Sequence, residues 1–79
     1  MFLIRVNLIE GALTGPQKRE LVTRLTDAVV ACAGENTRQA TWCVVEETSG
    51  DAWGIGGETV SLDDLRALAR ATELPRAER

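Results

Sequence analysis

Along residues 2–9, Phe2, Ile4, Val6 and Leu8 alternate with Leu3, Arg5, Asn7 and Ile9, a period of two that predicts a β-strand with one wholly apolar face. Glu10-Gly11-Ala12-Leu13 then turns the chain. Thr14-Gly15-Pro16-Gln17 has the form of a helix start, because Thr14 can cap, Pro16 suits the first turn and Gln17 is spaced to reach back. From there Leu21, Leu25, Ala28, Val29 and Cys32 recur at helical spacing, while Lys18, Arg19, Glu20, Arg24 and Asp27 lie mostly off that stripe. This predicts a long helix closed by a left-handed cap at Gly34.

A polar loop through Glu35, Asn36, Thr37, Arg38 and Gln39 leads into Ala40-Thr41-Trp42-Cys43-Val44-Val45-Glu46, a run of strand formers whose near-continuous apolarity predicts burial on both faces. Strand, helix and strand in this order make an α/β unit: a parallel pair joined by a right-handed crossover, with the helix across one face of the sheet. The other face is left open. Two strands alone are not stable in water, so the apolar residues turned away from the helix require a second subunit.

Thr48 to Ala52 read as a turn, and Trp53-Gly54-Ile55-Gly56-Gly57 places three glycines in a span too short for a helix, predicting irregular backbone in close approach to another chain. No Gly-Lys-Ser/Thr follows, and the glycines lack the strand-to-helix spacing of a dinucleotide site. Ser61-Leu62-Asp63-Asp64 predicts a capped start to a short C-terminal helix carrying Leu65, Leu68 and Ala69, with residues 72–79 polar enough to fray. There is no repeat and no linker, so residues 1–79 form one domain.

At 79 residues the chain can bury only a small core, which strengthens the expectation of oligomerisation. Nothing ahead of Phe2 resembles a signal peptide or a membrane span, so the chain reads as cytoplasmic, with Cys32 and Cys43 reduced and buried as small apolar groups. A formal charge of -3 with scattered arginines gives no footprint for nucleic acid or an anionic membrane. The absence of histidine and the placing of the cysteines on different elements argue against a metal site, and no motif points to a cofactor.

The first strand with Ile9-Glu10-Gly11, the helix over Gln17 to Ala33, the strand over Thr41 to Glu47 and the Trp-Gly-Ile-Gly-Gly segment at Trp53–Gly57 together resemble the small tautomerases typified by 4-oxalocrotonate tautomerase. That resemblance implies a β-α-β fold completed by oligomerisation, as a homo-oligomer and most simply a hexamer. It also implies enol-keto tautomerase chemistry on small keto or enol carboxylates. In the family an N-terminal proline opens the first strand and acts as general base, because an amine in an apolar pocket is held neutral and takes a proton from the carbon beside a carbonyl. Arginines hold the carboxylate and polarise the carbonyl. Counting from Ile9-Glu10-Gly11, Phe2 stands where the proline should be, while Ala12 and Thr41 stand at the two arginine positions.

Catalysis is therefore expected to be lost or strongly weakened. Met1, Phe2, Ile9, Ala12, Thr41 and Trp53 are the expected pocket lining. Phe2 is large enough to plug the pocket, and its bulk should preserve Met1, whose amine is a weak candidate base. Trp53 reads equally as pocket wall or interface anchor. Arg38, three residues before Thr41, is a weak candidate for carboxylate binding, although a lone loop arginine is more often a solvated charge. Arg5 should pair with Glu46 or a neighbouring subunit, and Glu46 and Glu47 should face opposite sides of their strand. Three functions fit: a non-catalytic family member that binds a small ligand, an enzyme of changed chemistry using the Met1 amine, or a partner subunit in a mixed oligomer with a proline-bearing paralogue.

Overall fold

The computed structural model describes the backbone of residues 1–76 and the side chains of residues 1–70. In chain order the elements are β1 (Phe2–Ile9), α1 (Gly15–Ala33), β2 (Thr41–Thr48), β3 (Gly54–Ile55), β4 (Glu58–Thr59) and α2 (Leu62–Arg76). β1 and β2 pair in parallel, Phe2 opposite Thr41 through to Ile9 opposite Thr48, and α1 is the crossover between them. This is the expected β-α-β unit.

The alternation along β1 sorts the sheet as its sequence requires. Ile4, Val6 and Leu8 are half-buried with Cys43 and Val45 on the side facing α1, and Lys18 at the start of α1 reaches Glu47 at 2.7 Å on that side. Leu3, Arg5, Trp42 and Val44 lie on the opposite, exposed face, where Arg5 Nη1 donates to Glu46 Oε1 at 3.0 Å. Glu46 and Glu47 thus point to opposite sides, and Arg5 has the partner expected of it. The two exposures differ in kind. Lys18 and Glu47 are about two-thirds covered and tie α1 to β2, whereas Arg5 and Glu46 sit in the open and contribute little alone.

Both helix starts are built as their sequences specify. Thr14 Oγ1 accepts from the Gln17 N–H at 3.2 Å while Gln17 Oε1 accepts from the Thr14 N–H at 2.8 Å. Ser61 and Asp64 make the same reciprocal pair at 3.1 and 3.2 Å. These satisfy donors that the first turn of a helix leaves without partners.

Five expectations are corrected. The covered stripe of α1 is Leu21, Val22, Leu25, Thr26, Val29 and Val30, so Ala28 and Cys32 are exposed rather than inward. Cys32 is therefore not a buried thiol; Cys43 on β2 is half-buried. Gly34 has positive φ (+104°) but extended ψ (154°), so the chain leaves α1 straight into a 3₁₀ turn over Glu35–Ala40 instead of a left-handed cap and loop. β2 is covered on one face only in the protomer, with Trp42 60% exposed. Finally, the glycine-rich segment is a regular hairpin: β3 and β4 pair antiparallel around Gly56 (φ +64°) and Gly57 (φ +91°), the two consecutive positive φ values of the tight turn that matches strand twist. The expected frayed tail over 72–79 falls partly in the last turns of α2 and partly on residues 77–79, outside the described residues.

Among the described residues Ile9 is the one buried hydrophobic residue. The accessible surface is 6011 Å² where a compact chain of 8.6 kDa exposes about 4,700 Å². The radius of gyration is 15.5 Å against about 11.6 Å for a compact domain of this length. Covering more of the protomer's apolar surface by association is expected to help offset chain entropy.

The purified protein is accordingly expected to elute well above its 8.6 kDa monomer mass; a folded monomer at micromolar concentration would contradict this. In the hairpin a Cβ on Gly57 would meet nothing within 4 Å, so Gly57→Ala carries only the backbone penalty of positive φ. It should cost about 1 kcal/mol in denaturant unfolding at fixed protein concentration. Gly57→Asn, which tolerates that conformation better, should cost less.

Candidate active site

The parallel register places Phe2 beside Thr41 at the head of the sheet, and Met1 extends beyond it, 89% exposed. Phe2 itself is 40% exposed and lies on the α1 side of the sheet, in phase with Ile4. Thr41 is held by its neighbour: its Oγ1 donates to the Thr37 carbonyl at 2.8 Å. Thr41 itself carries no charge, and Arg5 is on the other face, paired with Glu46.

Arg38 lies in the 3₁₀ turn just before β2, close in sequence to Thr41, but its guanidinium is already engaged. Nε donates to Glu35 Oε2 at 2.6 Å and Nη1 to Asp27 Oδ1 at 2.9 Å. Hydrogen bonding to Glu35, then to Asp27, raises the Arg38 pKa further above its ordinary value, and hydrogen bonding to Arg38 lowers that of Glu35. The cluster carries two carboxylates against one guanidinium. Its net negative charge opposes an incoming carboxylate, which makes Arg38 a structural tie between α1 and the 3₁₀ turn. Glu35, three residues ahead of Arg38 in the polar loop, was the sequence signal for this clamp; the part played by Asp27 needed the fold.

The remaining lining candidates are at the other end of the sheet. Ile9 closes β1, Ala12 follows it with its N–H donating to the Ile9 carbonyl at 3.1 Å, and Trp53 sits between the 3₁₀ turn at Gly50–Ala52 and the hairpin, its carbonyl accepting from Val60 at 2.9 Å. Phe2 and Ile9 are seven residues apart on one strand, about 23 Å at the rise of an extended chain. One protomer therefore brings Met1, Phe2 and Thr41 together at the head and Ile9, Ala12 and Trp53 at the foot. Within one protomer the two groups do not meet.

A depression of about 460 Å³ at the foot is lined by Ile9, Glu10, Gly50, Asp51, Ser61 and Asp64 among others, an acidic surface that the candidate residues do not include apart from Ile9. Among the described residues there is no group of three or more His, Cys, Asp or Glu side chains placed to hold a metal ion. None of their helices is long and apolar enough to cross a membrane.

Comparison with known proteins agrees with this architecture. The family model described as tautomerase enzyme matches residues 3–63. A probable tautomerase K2 from Dickeya dadantii (strain 3937) is 31% identical over 61 residues, covering 77% of this chain and 90% of that protein. The crystal structure of TomN, a 4-oxalocrotonate tautomerase homologue in the tomaymycin biosynthetic pathway, superposes with a TM-score of 0.67 at 35% identity, over 87% of this chain and 94% of TomN. A structure from the study of the 4-oxalocrotonate tautomerase isozymes of Methylibium petroleiphilum superposes with a TM-score of 0.65 at 28% identity, over 85% and 97% of the two chains. With the strand register, the crossover helix and the glycine hairpin all in place, the chain belongs to the tautomerase family, among the 4-oxalocrotonate tautomerase-like members.

Proposed function

We propose that this chain is a self-associating tautomerase-fold protein in which proline-dependent proton transfer is lost or strongly weakened, and whose remaining capacity is to bind a small keto or enol carboxylate. The observation that carries this reading is the head of β1. A phenylalanine opens the strand where the chemistry needs a secondary amine, and the two prolines of the chain, Pro16 and Pro75, lie elsewhere. The nearest arginine in sequence to Thr41 is neutralised by Glu35 and Asp27.

The separation of the lining residues supports an assembled site. Because Phe2 and Trp53 stand at opposite ends of the sheet in one protomer, a common pocket requires the head of one subunit to meet the foot of another, most simply in a closed homo-oligomer such as a hexamer. The same requirement favours, as a second reading, a mixed oligomer in which this chain supplies the foot of a site whose head belongs to a proline-bearing paralogue. The Met1 amine is the remaining candidate base for an enzyme of changed chemistry. In the protomer Met1 is 89% exposed, so any enclosure of its amine has to come from another subunit.

Loss of a general base typically removes about 10² to 10⁴ in rate, and loss of carboxylate-binding donors removes more. Enol-keto conversion of 2-hydroxymuconate or phenylpyruvate by the pure protein should therefore be near background. Phe2→Pro, confirmed by intact mass to begin at the new proline, combined with Ala12→Arg and Thr41→Arg, should raise turnover above that background while the oligomer is kept. Turnover typical of an evolved enzyme in the unmodified protein, or no gain in the assembled triple variant, would sink the proposal.

The Arg38 clamp has its own test. Because Glu35 has a depressed folded-state pKa, its contribution is in place above the ordinary carboxylate value of 4.5 and is lost as pH falls through the lower folded-state value. The Glu35 carboxyl followed by NMR should titrate below 4.5 and move up in Arg38→Gln. A Glu35 titration indifferent to that substitution would show that Arg38 is free to meet a ligand.

A further inference from the structure

The 3₁₀ turn over Glu35–Ala40 runs for six residues, longer than such turns usually extend, because their hydrogen bonds are poorly aligned. No side chain caps its start, where the chain enters through Gly34 at φ +104°. Side chains within the turn supply the support instead. Thr37 secures the first part, its N–H and its Oγ1 both donating to the Gly34 carbonyl, at 3.0 and 2.6 Å. Arg38 secures the rest. A 3₁₀ helix eclipses side chains three residues apart, which sets Glu35 against Arg38 and accounts for their 2.6 Å bond. Asp27, on α1, then ties the guanidinium to the body of the chain at 2.9 Å.

The backbone of this turn leads directly into the sheet. The Arg38 carbonyl accepts the N–H of Thr41, and the Thr37 carbonyl accepts Thr41 Oγ1 at 2.8 Å. Thr41 is the first residue of β2 and the register partner of Phe2. Both of its hydrogen bonds therefore end on the segment that the Arg38 side chain pins to α1, and a displacement of Arg38 reaches the head of the sheet through two adjacent carbonyls.

We infer that Arg38 is a positioning residue: gripped by Asp27 and Glu35, it sets where Thr41, and with it Phe2, stands at the head of the sheet. The clamp thus acts on the candidate site without touching a ligand. Its effect on ligand affinity rests on the binding function proposed above, whereas its effect on Thr41 does not. The charged groups acting on the Arg38 guanidinium among the described residues are Glu35 in the turn and Asp27 on α1, and those acting on the Glu35 carboxylate are Arg38 and Asp27. Above the ordinary carboxylate value of 4.5 the clamp is closed; as pH falls through the lower folded-state value of Glu35, Arg38 loses one of its two charged partners.

NMR of the full chain reads the consequence at Thr41. Its amide shift should follow the same midpoint below 4.5 as the Glu35 carboxyl, and that transition should vanish in Glu35→Gln. At neutral pH, Arg38→Gln and Asp27→Asn should each speed hydrogen exchange of the Thr41 amide by about fivefold, the scale of losing one or two exposed ion pairs, while exchange at Leu25 in the middle of α1 stays unchanged. Phenylpyruvate, as the probe ligand, should bind Arg38→Gln more weakly by a similar factor. Unchanged Thr41 exchange in both variants, or a rise shared equally by Leu25, would overturn the positioning role, as would a Thr41 shift that ignores the Glu35 titration in the folded chain. If acid unfolds the chain, exchange at neutral pH decides. Absence of phenylpyruvate binding by the unmodified protein would remove the ligand reading alone, with the positioning role still judged by Thr41 exchange.

Discussion

A two-stranded parallel sheet with a single helix can cover only one of its two faces, and this imbalance governs the rest of the molecule. On the covered side α1 lies over Ile4, Val6, Cys43 and Val45, with Lys18 and Glu47 fastening the helix to the far strand. On the other side Leu3, Trp42 and Val44 remain exposed, and among the described residues Ile9 is the one buried hydrophobic side chain. Hydrophobic burial is the main favourable contribution to folding, so a chain that leaves this much apolar sheet uncovered is expected to gain stability from association.

The same geometry divides the candidate site. A parallel strand pair puts both strand starts at one end, so Phe2 and Thr41 are neighbours, and it puts both strand ends at the other, with Ile9, Ala12 and Trp53. No rearrangement of side chains brings these groups together within one protomer. On the function proposed above, site assembly and chain assembly would be the same event, coupling ligand binding to the oligomer.

At the head of the sheet the chemistry is decided by which polar groups are free. Arg38 has the charge that a carboxylate-binding site needs but spends its donors on Glu35 and Asp27, and Arg5 spends its charge on Glu46. An arginine held by two carboxylates stabilises the approach to β2 without offering a vacant positive site. Phe2 adds a partly exposed apolar group at the same end of the sheet. Fold and family membership are retained.

The local elements were legible in the residues because their causes are local. The period-two run at Phe2–Ile9, the capping boxes at Thr14/Gln17 and Ser61/Asp64, and the strand formers at Thr41–Glu47 each specify an element through contacts a few residues apart. That a phenylalanine opens β1 was also legible, since it is a matter of residue identity. What needed the tertiary structure was everything set by relative placement. Periodicity placed Cys32 on the inner stripe, but the path of α1 over the sheet turned it outward. Glycine content marked the segment after Trp53 as unusual, but only the pairing of Ile55 with Glu58 made it a hairpin. The clamp on Arg38 and the distance between Phe2 and Trp53 depend on contacts between residues far apart in the chain, and no local pattern encodes those.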